Sequence, residues 1–413
     1  MATRKHSSKK ATGRGRKTAA KRATSAKAPV KGRKATPRKA VAAKKATKGK
    51  SKAPGAKRAA TRARKIVIEG VLPLEAGCSA IAALHSALQV LGADIPYDVL
   101  SVAGGEAFRL YVQLDRMGKA DGRHRHPLAG VSIASTSFAT YDILQATCDV
   151  LGIRAKVVRL DRKPGATRVR SIWSAIERSI RAGRPVPACG VPGSFEHEWC
   201  LVTGVDEDGK RVFFRDATHR FDLYAQGPRG AAWQGWVLGP EGTSWLPHLL
   251  IDGVGKRRPS EKRLADMVIA RAVSAAREGI VAPHWVGGLA AYHAWVLQLG
   301  QDRWHTEAAR HLGEPALANS WLLANTFAGR RAAGQFFERA ARLYAGKKNA
   351  AVHKAAKLYS ASAGALQTAG ALFPNWGQGY EDIEHRQRAA DLLAIAELAE
   401  REAVEALEDA FDL

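Results

Sequence analysis

Pro73-Leu74-Glu75-Ala76-Gly77-Cys78-Ser79, running on into an apolar-periodic stretch that lasts through Leu91, is the segment on which the fold turns. Its spacing predicts a helix, with Gly77 and Cys78 placed where a loop enters it. A thiol at a helix N-terminus feels the positive end of the dipole, which lowers its pKa and favours the thiolate. The plainer reading of Cys78 is a small buried apolar residue, because cysteine is among the most buried residue types.

Downstream the pattern changes to strands. Ile153 to Leu160 alternates, Ser171 to Ala182 reads as a helix, and Pro185 to Gly190 and Glu198 to Gly204 read as strands. Asp206-Glu207-Asp208-Gly209 is a hairpin turn, Arg211 to Asp216 returns, and Trp245 to Ile251 adds a later strand. A cysteine-bearing helix followed by an antiparallel sheet with a His and an Asp is the chain order of papain-like thiol enzymes. The expectation for residues 66–255 is therefore an α+β, papain-like domain opened by Ile66-Val67-Ile68. Residues 256–413 read as an all-α helical domain. Ser260 caps a helix through Arg277, and others cover Val286 to Gln298, Ala316 to Tyr344, Ala350 to Phe373, and Tyr380 to the end. Trp295, Trp304, Trp321 and Trp376 are expected in cores or interfaces.

Gly77-Cys78-Ser79-Ala80, Tyr97-Asp98-Val99-Leu100 and Gly104-Gly105-Glu106-Ala107-Phe108-Arg109-Leu110 resemble the N-terminal domain of the butirosin biosynthesis protein H family. Gly183-Arg184-Pro185-Val186 and Leu201-Val202-Thr203-Gly204-Val205-Asp206 continue the likeness over most of residues 66–255. That fold is similar to the bacteriocin-leader-processing cysteine peptidases. The resemblance implies a Cys nucleophile, a His base and an Asp or Asn orienter, which here are Cys78, His197 and Asp216. In the named family the thiol passes an acyl group from a carrier protein to an amine, and the peptidases cleave peptides. Spacing from Gly204 in such enzymes places the base at Glu198, one residue after His197. Adjacent strand residues face opposite sides, so His197 and Glu198 cannot both face the thiol in a regular strand. A bulge at 195–197 would bring His197 to it, and an imidazole pKa of ~6.5 suits a base at neutral pH. The peptidases carry an oxyanion-hole Gln about six residues before the Cys, where this chain has Leu72; backbone N–H groups near Cys78 are the alternative donors. Gly104-Gly105 reads as a turn before an anion cradle, and Arg123-His124-Arg125-His126 as a solvated loop before a metal or phosphate site.

Charge divides the chain sharply. Residues 1–65 hold 25 Lys or Arg and no acid, the first being Glu69, whereas the whole 413-residue chain holds 65 basic and 38 acidic residues. Removing the tail's 25 leaves 40 against 38, so the net of +27 falls to +2 over the remaining 348 residues. Apart from Met1, the only large aliphatic residues before Lys65 are Val30 and Val41, so nothing offsets the entropy of ordering and the tail is expected to be disordered. Thr36-Pro37-Arg38-Lys39, following Lys34, resembles the Ser/Thr-Pro-basic-basic element of linker-histone tails. With Lys44, Lys45, Lys57 and Arg58 it is expected to bind DNA or RNA through phosphate charge, releasing counterions without reading sequence.

The four cysteines form no C-x-x-C pair and lack a His cluster at zinc spacing, so neither a metal nor a cofactor is expected. No apolar run reaches the ~18 residues needed to cross a bilayer. Two readings stand. One is a DNA-associated papain-like thiol enzyme acting on an acyl donor or peptide in a bacterial cytoplasm, at the nucleoid. The other is a non-catalytic nucleoid scaffold with a degenerate papain-like domain.

Overall fold

The computed structural model describes residues 65–71, 77–113, 140–158, 166–189, 199–206, 211–216, 223–226, 248–255, 258–282, 285–300 and 313–413. The tail residues Lys34 to Arg58, the Arg123–His126 run, His197 and Glu198 lie outside them. The first described element is strand β1 at Lys65–Val67. Lys65, which by its charge counts with the basic segment, pairs with Asp206. The described residues form one compact unit.

A seven-stranded sheet organises the first half. Its members are β1, β3 (Ile153–Val158), β4 (Val186–Cys189), β5 (Trp199–Asp206), β6 (Arg211–Arg215), β7 (Leu223–Gln226) and β8 (His248–Val254). The order is β3-β8-β4-β5-β6-β7, and β1 pairs with the far end of β5, beyond β4. Every pairing is antiparallel. The β5–β6 register shifts between Val202 and Gly204, at the strand's glycine. A Cβ on Gly204 would lie 2.6 Å from the Ile66 carbonyl oxygen, so only glycine lets β1 close on β5 there.

Alternation along β5 fills a core on each face of the sheet. Trp199 and Leu201 pack with helix α1 (Ser79–Val90) and helix α3 (Thr140–Val150), alongside Leu84, Leu144 and Leu249. Cys200, Val202 and Val205 pack on the other face with Ile172, Trp173 and Ile176 of helix α4 (Ala166–Arg181). The result is a mixed helix-and-sheet architecture with antiparallel strands.

The C-terminal part is helical, with one departure. Strand β10 (Trp285–Gly287) pairs with β9 (Ile280–Ala282) on one side and with β2 (Tyr111–Gln113) on the other, in a three-stranded sheet. The expected all-α domain and its helix from Val286 are corrected here. Pro283 lies between the two strands and cannot donate to a helix, and Gly288, at φ +64, ends β10 before the helix starts.

The helices are α5 (Glu261–Ala276), α6 (Leu289–Gly300), α7 (Gly313–Ala341), α8 (Gly346–Ala371), the single turn α9 (Pro374–Gly377) and α10 (Ile383–Phe411). Helices α7, α8 and α10 pack in succession, and α6 packs on α10. Trp295 is buried in this core, with its Nε1 donating to Asn319 Oδ1 at 3.0 Å. The same core takes in Val102, Phe108 and Leu110 from the first half of the chain, so the residues ahead of β2 are held by the C-terminal helices.

Ser260 caps α5 as its sequence predicts, with Oγ accepting from the Arg263 N–H at 3.3 Å. Ser260→Ala is expected to cost about 1 kcal/mol, measured as a shift in the urea midpoint. A change within error removes the cap from the stability of α5.

Candidate active site

Cys78 is the N-cap residue of α1, with extended backbone at φ −66° and ψ 112°. The first helical residue ties this end to the sheet, because Ser79 Oγ accepts from the Trp199 N–H at 3.2 Å. The opening of β5 therefore lies against the opening of α1. The Cys78 N–H donates to the phenol oxygen of Tyr97, at 3.0 Å. Tyr97 opens helix α2 (Tyr97–Ala103). A Cβ on Gly77, whose φ is +142°, would lie 2.6 Å from that oxygen, so glycine before the cysteine is what admits Tyr97. A backbone donor suited to an acyl oxyanion is thus occupied by a phenol in this state.

A second element brings a carboxylate to the thiol. Helix α2 ends at Gly104, where a Cβ would lie 2.7 Å from the Ile143 carbonyl oxygen of α3. Gly105 follows at φ +92° and starts a 3₁₀ turn, Glu106–Phe108. Gly104-Gly105 is the turn its sequence suggests, and its consequence is the placement of Glu106. That side chain is half-buried, and its Oε2 is out of solvent with no hydrogen-bond partner. Its negative charge acts on the Cys78 thiol.

Arg330 of α7 holds this turn from below. Its Nη1 donates to the carbonyls of Ala107 and Arg109 at 3.0 and 2.9 Å. Its Nε and Nη2 donate to the two carboxylate oxygens of Glu400, on α10, at 2.9 and 3.0 Å. Both side chains are buried. Burial alone would lower the Arg330 pKa, but the Glu400 carboxylate outweighs it and the group lies above its ordinary value.

The electrostatics reverse the sequence expectation for Cys78. Burial, and then the negative charge of Glu106, push its pKa well above the usual cysteine value. The N–H groups of Ile81 and Ala80 pull the other way, though the sulfur makes no capping bond. The dipole contributes about 0.3–1 kcal/mol at exposed helix ends, whereas a buried group shifts by several units, so desolvation wins. Glu106 is also raised, by its own burial, with Arg109 opposing. Burial thus raises both groups above their ordinary values.

Asp216 is buried just past the end of β6. The pairing of Leu201 with Arg215 continues to place it opposite Cys200, on the α4 face. Cys200 is raised well above its usual value by burial, then by Cys189 and Asp216. None of the four cysteines forms a disulfide, all are buried, and burial lifts Cys148 to about 12. Among the described residues, the carboxylate that reaches Cys78 is Glu106, and no His, Cys, Asp or Glu group is arranged to hold a metal ion. No spacing rule links Glu106 to a cysteine 28 positions earlier, so the sequence carries no signal of this contact. No helix of the described residues is long and apolar enough to cross a membrane. Comparison with protein-family models and with curated proteins returns no match for this chain.

Proposed function

We propose that the folded unit is a papain-like thiol enzyme that moves acyl groups or hydrolyses amides through Cys78, and that the basic tail attaches it to DNA or RNA. The observation that carries the reading is the pairing of a helix-N-terminal thiol with the half-buried carboxylate of Glu106. Glu106 accepts the thiol proton, the sulfur forms a C–S bond to the acyl carbon, and the leaving amine or thiol departs with that proton. Water or an acceptor amine then attacks, the C–S bond breaks and a proton returns to sulfur. Tyr97 Oη marks the place beside the Cys78 N–H where the acyl oxygen would develop charge.

The experiment uses activated acyl thioesters, with intact-mass detection of acyl transfer to protein. Wild type should gain one acyl group and Cys78→Ser none. Glu106→Gln should slow acylation by roughly 10²–10⁴-fold, the usual share of a general base.

A pH measurement adds a sign. Glu106 raises the thiol pKa, so Glu106→Gln should lower it and speed alkylation by a small neutral electrophile at neutral pH, while acyl transfer falls. Faster alkylation with slower acylation is the signature of a lost base. If His197→Ala or Glu198→Ala slows acylation and Glu106→Gln does not, the base comes from the sequence-based triad with Asp216. Unacylated wild type favours the non-catalytic scaffold.

A further inference from the structure

We infer that Arg109 and Arg271 form a recognition site for an anionic group, a carboxylate or a phosphate, carried by the acyl substrate of Cys78. The inference rests on the reading of Cys78 as the acyl-accepting thiol.

Three guanidinium groups surround the 3₁₀ turn that carries Glu106, and the fold neutralises one of them. Arg330 is matched by Glu400 in a two-pronged ion pair. Arg109, three residues beyond Glu106, has its carbonyl fixed by Arg330 and its guanidinium 5.9 Å from the centroid of the Tyr111 ring. Arg271 comes from α5, which packs against the same turn. The Nη1 atoms of Arg109 and Arg271 are both shut off from solvent, and neither has a hydrogen-bond partner.

Among the described residues, the carboxylate seen to act with Arg109 across this turn is Glu106, which also acts on the Cys78 thiol, while Glu278 is taken up by Tyr111. Burial, and then the positive charge of Arg109, lower the Arg271 pKa, so the two cations also repel. Two dry, unpartnered donors on mutually repelling cations are unfavourable in the empty protein. An oxyanion group reverses both terms, and the planar fork of Arg suits two oxygens of a carboxylate or phosphate. Both side chains are otherwise half-exposed, which leaves a way in. A substrate gripped here would be held next to the residue that takes the thiol proton.

The test is the thermal midpoint of the full chain in inorganic phosphate and, separately, in succinate, with ionic strength balanced by chloride. Arg109→Gln, Arg271→Gln and Arg271→Lys share the wild-type tail, so differences between them report this site and not the tail. Wild type should gain several degrees with at least one anion. Both Gln variants should lose most of that gain, and Arg271→Lys, which keeps the charge without the fork, should retain part of it. A response to phosphate alone, or to succinate alone, identifies the group. Equal gains in wild type and both Gln variants, or no gain in wild type, overturn the site.

Acylation of Cys78 is scored separately on the same proteins. Acylation with indistinguishable anion responses removes the anion site and leaves the thiol reading. An anion response confined to wild type without acylation of Cys78 does the reverse.

Discussion

Removing residues 1–64 is expected to abolish nucleic-acid binding and leave a folded, nearly neutral protein. The cut falls before Lys65 because that residue pairs with Asp206 in β1. It takes away 24 basic residues, leaving 41 against 38 acids, a net of +3. For the full chain, about a dozen engaged phosphates at ~0.9 counterions each give a log–log salt slope of order −10. Between 50 and 200 mM salt, affinity for a DNA duplex or an RNA hairpin should fall by roughly 10³–10⁵-fold, read by fluorescence anisotropy. Equal binding to unrelated sequences is part of the expectation, since phosphate contacts carry no sequence information. A salt-independent affinity, or a truncated chain that still binds, refutes the tail as the attachment.

Breaking the Arg330–Glu400 pair is expected to be the most damaging single change in the folded unit. Glu400→Ala leaves a fully buried guanidinium without its carboxylate, at a cost of about 3–5 kcal/mol. Arg330→Ala does the converse and also frees the carbonyls of Ala107 and Arg109. Urea denaturation of the full chain measures both. The double change Arg330→Met with Glu400→Met should recover part of the lost stability, because paired apolar residues often replace a buried ion pair at little cost. It should not recover acylation of Cys78, since nothing then clamps the turn that aims Glu106. If the double variant acylates like wild type, Arg330 is structural only and positions nothing. If Glu400→Ala costs under about 1 kcal/mol, the pair behaves like an exposed one.

Local chemistry made much of the fold legible. Helix α1 begins at the residue after Cys78 because Gly77 breaks the chain and an apolar period follows. Ser260 caps α5 by its own hydroxyl, and the successive strands β5 and β6 pair antiparallel. Strands β9 and β10 escaped because three residues set no period, and β2, the outer partner of β10, lies some 170 positions earlier. Ile280 keeps 78% of its surface exposed, so burial gave no signal there either. Cys78 was found as a helix-entry thiol, but the direction of its pKa was misjudged. A sequence reports the dipole at a helix end and says nothing of the desolvation that outweighs it.

The sequence by itself determined the charge division at residue 65, the helix that starts behind Cys78 and the alternation that builds two cores on β5. These depend on residues near one another in the chain, where composition and period act directly. The tertiary structure alone decided that Glu106 acts on Cys78, that Arg330 clamps its turn and pairs with Glu400, and that, among the described residues, the Nη1 atoms of Arg109 and Arg271 are buried without hydrogen-bond partners. Those relations join residues up to 223 positions apart, as Arg330 and Ala107 are. They exist only once the C-terminal helices close over the 3₁₀ turn, strip its water and make each unpaired charge count.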